Sequence, residues 1–579
     1  MKLSNLFAST LILSLLSCLS ASSLLNFSMA QSQTTQELEA EAKRLLSLCR
    51  EHIRSGDSEA ALSFCNNLGA TYLDLGQYSE MVRPLQHALR FARKLQHYQR
   101  TAIVLTNLGH AYLNLGAYKE AIHFYQESLL VGQKLENSRQ EAMAMSGIGN
   151  AYQSLGEYKE SINFYQKALA LAQTLQQQLI EAYTLNNLGN TYHLLGQYQK
   201  AIHLHEQSLA LLQELEERNK ESVVLHNLGN AYHALADYTE ALDLYQQSLS
   251  LAQRLQDHRT ELMAFNGMGK VYNSLKEYQE AIKHHQRALV LAQQLKSLDD
   301  KAVALGNLGI AYESLGKYGQ AIKFYNQTLA IKQELEESQG EAEAFHRLAW
   351  AFLKNKQLNE ARSAFLKSLE ILESLRVGLK DRDKVSLIDT QANTYDGLQK
   401  VLVEMGETAS ALEVSERGRA RVFVELLARQ LSASSDNSSE EEPITFPKVE
   451  QLQEIAREQN ATLVQYSQIQ YADLGKFLYI WVIQPTGKID FREVDLANPD
   501  SEWVAQAPTS PSSSPTSDSE EVRGLVADTR ASVIVASNGN PSQSLKRNHE
   551  LLIAPIADLL PNNPEERVIF IPDGSLFFV

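Results

Sequence analysis

One motif returns at a fixed distance along this chain, and that regularity limits the possible folds more than any other feature. LGATYLDLGQY begins at Leu68, LGHAYLNLGAY at Leu108, IGNAYQSLGEY at Ile148 and LGNTYHLLGQY at Leu188. LGNAYHALADY, MGKVYNSLKEY, LGIAYESLGKY and an eroded LAWAFLKNKQL follow at 228, 268, 308 and 348. The spacing is 40 residues throughout, so eight units tile residues 61–380. Within a unit, Leu188, Gly189 and Tyr192 lie on neighbouring turns of one helix face. Gly196 permits a turn, and Ala201, His205 and Ser208-Leu209 continue an apolar face on a second helix. A glycine inside a helix costs about 1 kcal/mol relative to alanine. Its recurrence implies close helix packing, with Tyr192 expected to fill the gap beside Gly189. Neither helix can bury its face alone, so the units must stack on one another.

The recurring small residue, aromatic, turn and alanine resemble the tetratricopeptide repeat (TPR), in a form 40 residues long with an extended second helix. The resemblance implies a mainly α fold, a superhelical solenoid whose first helices line an inner groove. Unit eight departs from the pattern, with Ala349 for glycine, Phe352 for tyrosine and Leu358 for the tyrosine of the turn. Residues 31–60 read as an irregular N-terminal helical cap. Residues 381–430, where Gly406 and Ala411 echo the motif, read as a C-terminal helical repeat or cap. ERGRAR at 416–421 is either a solvated helix face or an anion or partner site.

By analogy with that family, two columns of each first helix face the groove: one residue after the signature glycine and two before it. The first column holds Asn150, Asn190, Asn230 and Lys270; the second holds Asn67, Asn107, Asn187, Asn227 and Asn307. An amide both donates and accepts, so a ladder of amides could clamp the backbone of an extended peptide. The same ladder could instead bond adjacent helices to each other. Asn150, Asn190, Asn230, Asn187, Asn227 and Lys270 are therefore the peptide-groove candidates. Lys270 is the only lysine in these columns, so the paired clamp that chaperone-binding relatives use on a terminal carboxylate is not expected. The histidines occur at scattered helical phases, with His193 and His233 recurring as a repeat column, and no metal or cofactor site is expected.

The N-terminus carries Lys2, an apolar stretch from Leu6 to Leu19, and Ser28-Met29-Ala30 at a plausible cleavage point. This is the pattern of a secretory signal peptide over residues 1–30 and implies an exported, periplasmic or extracellular protein. A plain disordered leader or a lipid anchor at Cys18 are the alternatives. Cys49 and Cys65 could pair in an oxidising compartment or remain buried thiols. A formal net charge of −16 weighs against nonspecific nucleic-acid binding, and no nucleic-acid partner is expected.

Beyond residue 430 the composition changes. LSASSDNSSEEEP leads an acidic linker over 431–446, and QAPTSPSSSPTSDSE marks a disordered loop over about 501–520. A helix is expected at 447–458, strands at ATLVQYSQI, FLYIWVIQ and KIDFREVDL, a hairpin turn at PTGK, helices at 521–536 and from His549, and a strand at VIFIPDG. Together with the upstream repeats and SERGRAR, these segments resemble the CHAT domain, a caspase- and separase-related family common in cyanobacterial TPR proteins. The resemblance covers 447–579 and implies an incomplete caspase-like α/β domain. The family's peptidase chemistry would use a His-Gly site and a later cysteine. No cysteine follows Cys65, the only histidine beyond residue 430 is His549, and Ser575 has no base beside it, so no catalytic residue is assigned. The leading expectation is an interaction scaffold with a catalytically incomplete C-terminal region. The alternative is a fragment of a repeat-regulated cysteine peptidase whose His and Cys lie beyond residue 579. On either reading, residues 31–430 should fold cooperatively while 445–579 alone should fold poorly.

Overall fold

The structure is a computed structural model that describes residues 35–376, 385–418, 448–471, 475–496, 549–563 and 565–572. The signal segment with Cys18, the acidic linker, the 501–520 loop, the 521–536 helix and Ser575 lie outside the described residues. The chain divides into two compact units, residues 1–315 and 316–579.

The first unit is helical. It begins with α1 (Thr35–Ser55), then α2 (Ser58–Asp74), α3 (Tyr78–Lys94), α4 (Tyr98–Asn114), α5 (Tyr118–Lys134), α6 (Ser138–Ser154) and α7 (Tyr158–Thr174). It continues with α8 (Gln178–Leu194), α9 (Tyr198–Glu214), α10 (Arg218–Ala234), α11 (Tyr238–Leu255), α12 (His258–Ser274), α13 (Tyr278–Gln294) and α14 (Leu298–Ser314). Even-numbered helices from α2 carry the signature glycine; α1 stands in the register of a second helix one repeat earlier. A disulfide between Cys49 of α1 and Cys65 of α2 ties this cap to the first repeat, which settles the pairing that the sequence left open.

Each helix is stopped by a left-handed residue. Gln77 N–H bonds Tyr72 C=O at 2.9 Å and Gly76 N–H bonds Leu73 C=O at 3.0 Å, closing α2 around Gly76 (φ 68°). This pair of bonds satisfies carbonyls that a helix end otherwise leaves unpaired. The helical glycines have a different reason. A Cβ on Gly229 would stand 2.8 Å from Cε1 of Tyr245, and one on Gly267 would stand 2.6 Å from the same atom. One ring from a second helix therefore wedges between the first helices of two successive units. At Gly189 the wedge is His205, whose Cε1 would be 2.8 Å from an added Cβ. The gap beside Gly189 is thus filled from the partner helix, and Tyr192 stays half-buried. Ser208 lies on the buried face of its helix, and its hydroxyl is accommodated there by donating to Ala182 C=O at 2.7 Å.

The second unit opens with α15 (Tyr318–Glu334), α16 (Ser338–Lys354) and α17 (Leu358–Arg376). Next come α18 (Val385–Glu404) and a helical stretch at 408–418. That pair repeats the motif once more, with Gly397 packed against Phe365 and Trp350 and with Gly406 (φ 78°) at the turn. Of the two readings of 381–430, a helical repeat or a cap, the described residues take the form of a ninth repeat. After α19 (Val449–Glu458) come β1 (Ala461–Tyr471), β2 (Gly475–Ile483), β3 (Ile489–Asp495) and β4 (Arg567–Ile571).

The strands form one mixed sheet in the order β3-β2-β1-β4. β1–β2 and β2–β3 are antiparallel and β1–β4 is parallel. The alternation of a strand sends Val464, Tyr466, Leu478, Ile480 and Val482 to one face, where Ile556 covers them. Gln465 and Trp481, directly opposite each other in register, go to the other face and meet the ninth repeat. Trp481 Nε1 donates to Thr408 C=O at 2.8 Å, Gln465 Nε2 to Ser415 Oγ at 3.3 Å, and Lys400 pairs with Glu493 at 3.2 Å. Ser415 takes the position that Tyr245 holds in its own unit, so the sheet stands where a further repeat would stack. The expected helix from His549 is instead a π-turn over His549–Ile553 and a 3-10 stretch over Ala554–Leu559. Pro555 has no N–H to give an α-helix at that point.

Candidate ligand-binding face

Successive first helices of the first unit touch one another, while successive second helices stand further apart. The even-numbered helices therefore line the inner side. On three of them, i, i+4 and i+7 spacing builds a polar grid: Asn186, Asn190 and His193 on α8; His226, Asn230 and His233 on α10; Asn266, Lys270 and Asn273 on α12. None of these positions holds Asp or Glu.

The grid has a structural edge and an open edge. Asn227 is 4% exposed and Asn187 5% exposed, although both were groove candidates. Asn227 Nδ2 donates to Asn186 Oδ1 at 3.0 Å, and Asn107 and Asn307 bond Asn66 and Asn266 in the same way at 3.1 and 3.4 Å. Each such amide is spent on the helix one unit earlier, because the position two residues before the glycine faces that helix. Asn150 is also buried, with its Oδ1 accepting from the Tyr165 hydroxyl. Asn227 thus joins two repeats, Asn150 bonds within its own repeat, and all three candidates are buried and not presented to a ligand.

Asn190, Asn230 and Lys270 stand in the open part of the grid: the two asparagines are half-buried and Lys270 is exposed. The ring position behind them decides how tightly each is held. Tyr245 is long enough for its hydroxyl to donate to Asn230 Oδ1 at 2.7 Å. His205 and His285 are shorter and instead place Nδ1 3.1 Å from Asn186 and Asn266. Neither imidazole bonds the residue in front of it, Asn190 or Lys270.

Sequence reasoning saw His193 and His233 as a repeat column but did not place them beside the groove asparagines. His193 and His233 follow Asn190 and Asn230 by three residues, a same-face relation that the sequence contains. His233 Nε2 lies 3.0 Å from Ser274 Oγ on the next first helix. Burial pushes the pKa of His193 and His233 down, and Lys270 opposes their protonation further. His226 is pushed down to about 3 by burial, with Lys270 again adding to the effect. Desolvation at the ammonium lowers the pKa of Lys270, although the residue as a whole is exposed. Of ERGRAR, residues 416–418 are described, and the Arg417 guanidinium pairs with Glu373 at 2.5 Å. Among the described residues no group of three or more His, Cys, Asp or Glu could hold a metal.

Profiles described as tetratricopeptide repeat match residues 62–95, 100–174, 180–254, 260–334 and 342–371. Among curated proteins, tetratricopeptide repeat protein 28 of Mus musculus is 33% identical over 139 residues and that of Homo sapiens 31%. The match covers 24% of this chain and 5% of either relative's length. A signal-transduction ATPase with a tetratricopeptide repeat sensor from Pyrococcus horikoshii covers 70% of this chain at 13% identity, with 67% of that chain covered and a TM-score of 0.45. The apo quorum sensor NprR from B. thuringiensis covers 61% at 16% identity, with 97% of that chain covered and a TM-score of 0.42. Helix pairing, the 40-residue period and the profile matches agree: the helical part of this chain is a tetratricopeptide-repeat solenoid.

Proposed function

We propose that this chain is a protein-interaction scaffold whose inner face on α8, α10 and α12 holds an extended peptide. One observation carries this reading: Asn190, Asn230 and Lys270 repeat at the period of the fold, remain accessible, and lie among side chains that bond a peptide backbone without burying a carboxylate. Selection from a peptide library on the whole chain, followed by binding to N190A/N230A, tests it. A selected peptide should lose most of its affinity for the variant while the variant's melting curve is unchanged. Full retention of affinity would sink the assignment.

For the C-terminal sheet we propose a non-catalytic role within an α/β region related to CHAT domains. The parallel β1–β4 pair inside an otherwise antiparallel sheet supports an α/β reading. Residues 445–579 contain no cysteine, so this stretch supplies no thiolate nucleophile. We also propose export: the Cys49–Cys65 disulfide supports it, because such bonds persist in oxidising compartments. Cell fractionation with thiol trapping checks this, and a cytosolic chain with both thiols free would overturn it.

A further inference from the structure

We propose that the outer face of α1 and α3, bordered by Leu130 and Lys134 of α5, docks the chain on an anionic phospholipid surface. The second helices carry this face, so the inference does not depend on the peptide-groove reading.

The observation is a lattice of positive charge. α1 stands in the register of a second helix one repeat before α3, so residues 40 apart occupy equivalent places. Lys43, Arg50 and Arg54 on α1 therefore match Arg83, Arg90 and Lys94 on α3. On each helix the spacing i, i+7, i+11 sets the three on one stripe, and all six are exposed. No later second helix of the first unit holds more than one Lys or Arg at these positions; on α7 they are Asn163, Ala170 and Thr174. Other cations of α1 and α3 find acids: Arg44 pairs with Glu41 at 2.6 Å and Arg93 with Glu127 at 2.8 Å. Among the described residues none of the six has a carboxylate partner, and Glu51 and Glu80 on the same helices pair with none of them. Lys94 donates to the Ser58 hydroxyl at 3.1 Å, and Arg90 lies against the rings of His87 and Phe91. The His87 pKa is pushed down by burial and then by Arg90 and Arg83, so the stripe concentrates charge. In a chain of net charge −16, a basic face orients the molecule toward an anionic surface.

What borders the lattice selects the kind of anion. The column of Arg50 and Arg90 continues on α5 as Leu130, which is 65% exposed. The column of Arg54 and Lys94 continues as Lys134, whose ammonium lies 4.3 Å from the ring centre of the exposed Tyr98. A nucleic-acid backbone offers a leucine nothing. A bilayer interface takes cations among its headgroups and places leucine and tyrosine at the acyl boundary. In sequence, residues 20–34 separate α1 from the apolar stretch Leu6–Leu19. A membrane holding that stretch would keep α1 within about 50 Å. A single weak anchor binds a membrane reversibly, and a basic face supplies the second signal that makes attachment last.

The test sediments the full chain with vesicles of phosphatidylcholine alone or with about one quarter phosphatidylglycerol. Binding should rise at least about tenfold with the anionic lipid and fall back in about 0.5 M salt. R50Q/R54Q/R83Q/R90Q should lower partition into anionic vesicles at least about a hundredfold while its melting curve is unchanged. K159Q/K167Q/K200Q/R254Q removes the same charge from later second helices and should sediment as wild type does. L130S should weaken vesicle binding and leave any binding of a fluorescent DNA oligonucleotide unaltered. Equal sedimentation with both vesicle types, or of both quadruple variants, overturns the proposal. So does tighter binding of the oligonucleotide than of the anionic vesicles. The groove reading is untouched by these results, because peptide selection with N190A/N230A tests it separately.

Discussion

At the scale of the residue, Gly229 and Tyr245 show what the repeat is built around. The ring occupies the space of two absent Cβ atoms, one in its own unit and one, at Gly267, in the next. G229A pushes a methyl group into a fully buried ring that has no room to turn, so it should destabilise the fold by about 1–3 kcal/mol. A urea midpoint lower than wild type by that amount checks this, and an unchanged midpoint would remove the close-packing explanation. Close packing at the glycine was legible in the sequence; the ring that causes it was not. His205 and Tyr245 lie 16 residues beyond their glycines on another helix, and only the crossing of the two helices brings them there. The asparagines divide for a related reason. Asn187 and Asn190 lie on one helix and read alike in sequence, yet one faces a neighbouring helix and the other the open side.

At the scale of the element, each turn places a residue in the left-handed region, but the sequence meets that demand unevenly. Gly196 (φ 71°) ends α8, whereas Lys276 (φ 63°) sits at the equivalent place after α12. A Cβ in that region clashes with the following carbonyl, at a cost of about 1 kcal/mol or more. K276G should therefore stabilise the fold by about 0.5–1 kcal/mol, read as a raised melting temperature, and G196A should lower it. The strands were also legible, because FLYIWVI and IDFREVD alternate around a PTGK turn. What they pack on was not: nothing in the alternation says that Trp481 reaches Thr408. This contact gives the expectation that 445–579 folds poorly by itself a physical basis to test, because the sheet buries Trp481 against the ninth repeat. W481A removes a fully buried ring and its hydrogen bond, and should cost about 3–5 kcal/mol. Faster hydrogen exchange in 408–418, and not only in β1 and β2, would show that the ninth repeat and the sheet form one cooperative piece; a change confined to the strands would show the reverse.

At the scale of the whole molecule, a stacked array is as stable as its neighbouring interfaces, and several interfaces here enclose a neutral imidazole. His110, His205, His226 and His285 are buried, with pKa values pushed by burial from 6.5 to about 4, 3, 3 and 3. The folded chain therefore binds fewer protons than the unfolded chain once pH falls below 6.5. Stability then rises with pH in that window: the contribution is fully present above the unfolded value and is lost as pH falls toward the folded one. A histidine that stays neutral in the fold but titrates freely when unfolded withdraws about 2 kcal/mol between pH 6.5 and about pH 5. Three of them in neighbouring repeats, with His110 two repeats earlier, approach the whole stability of an ordinary domain, about 5–15 kcal/mol. Urea unfolding as a function of pH should accordingly show the midpoint falling steeply below about pH 6.5. The H205Y/H285Y variant, which restores the tyrosine found at position 245, should fall less steeply. Loss should begin in α8–α13, where three of these imidazoles cluster, and hydrogen exchange at about pH 5 should open those helices before α2–α5. Uniform exchange along the array, or a midpoint that ignores pH, would mean that the buried imidazoles gain protons without opening the stack.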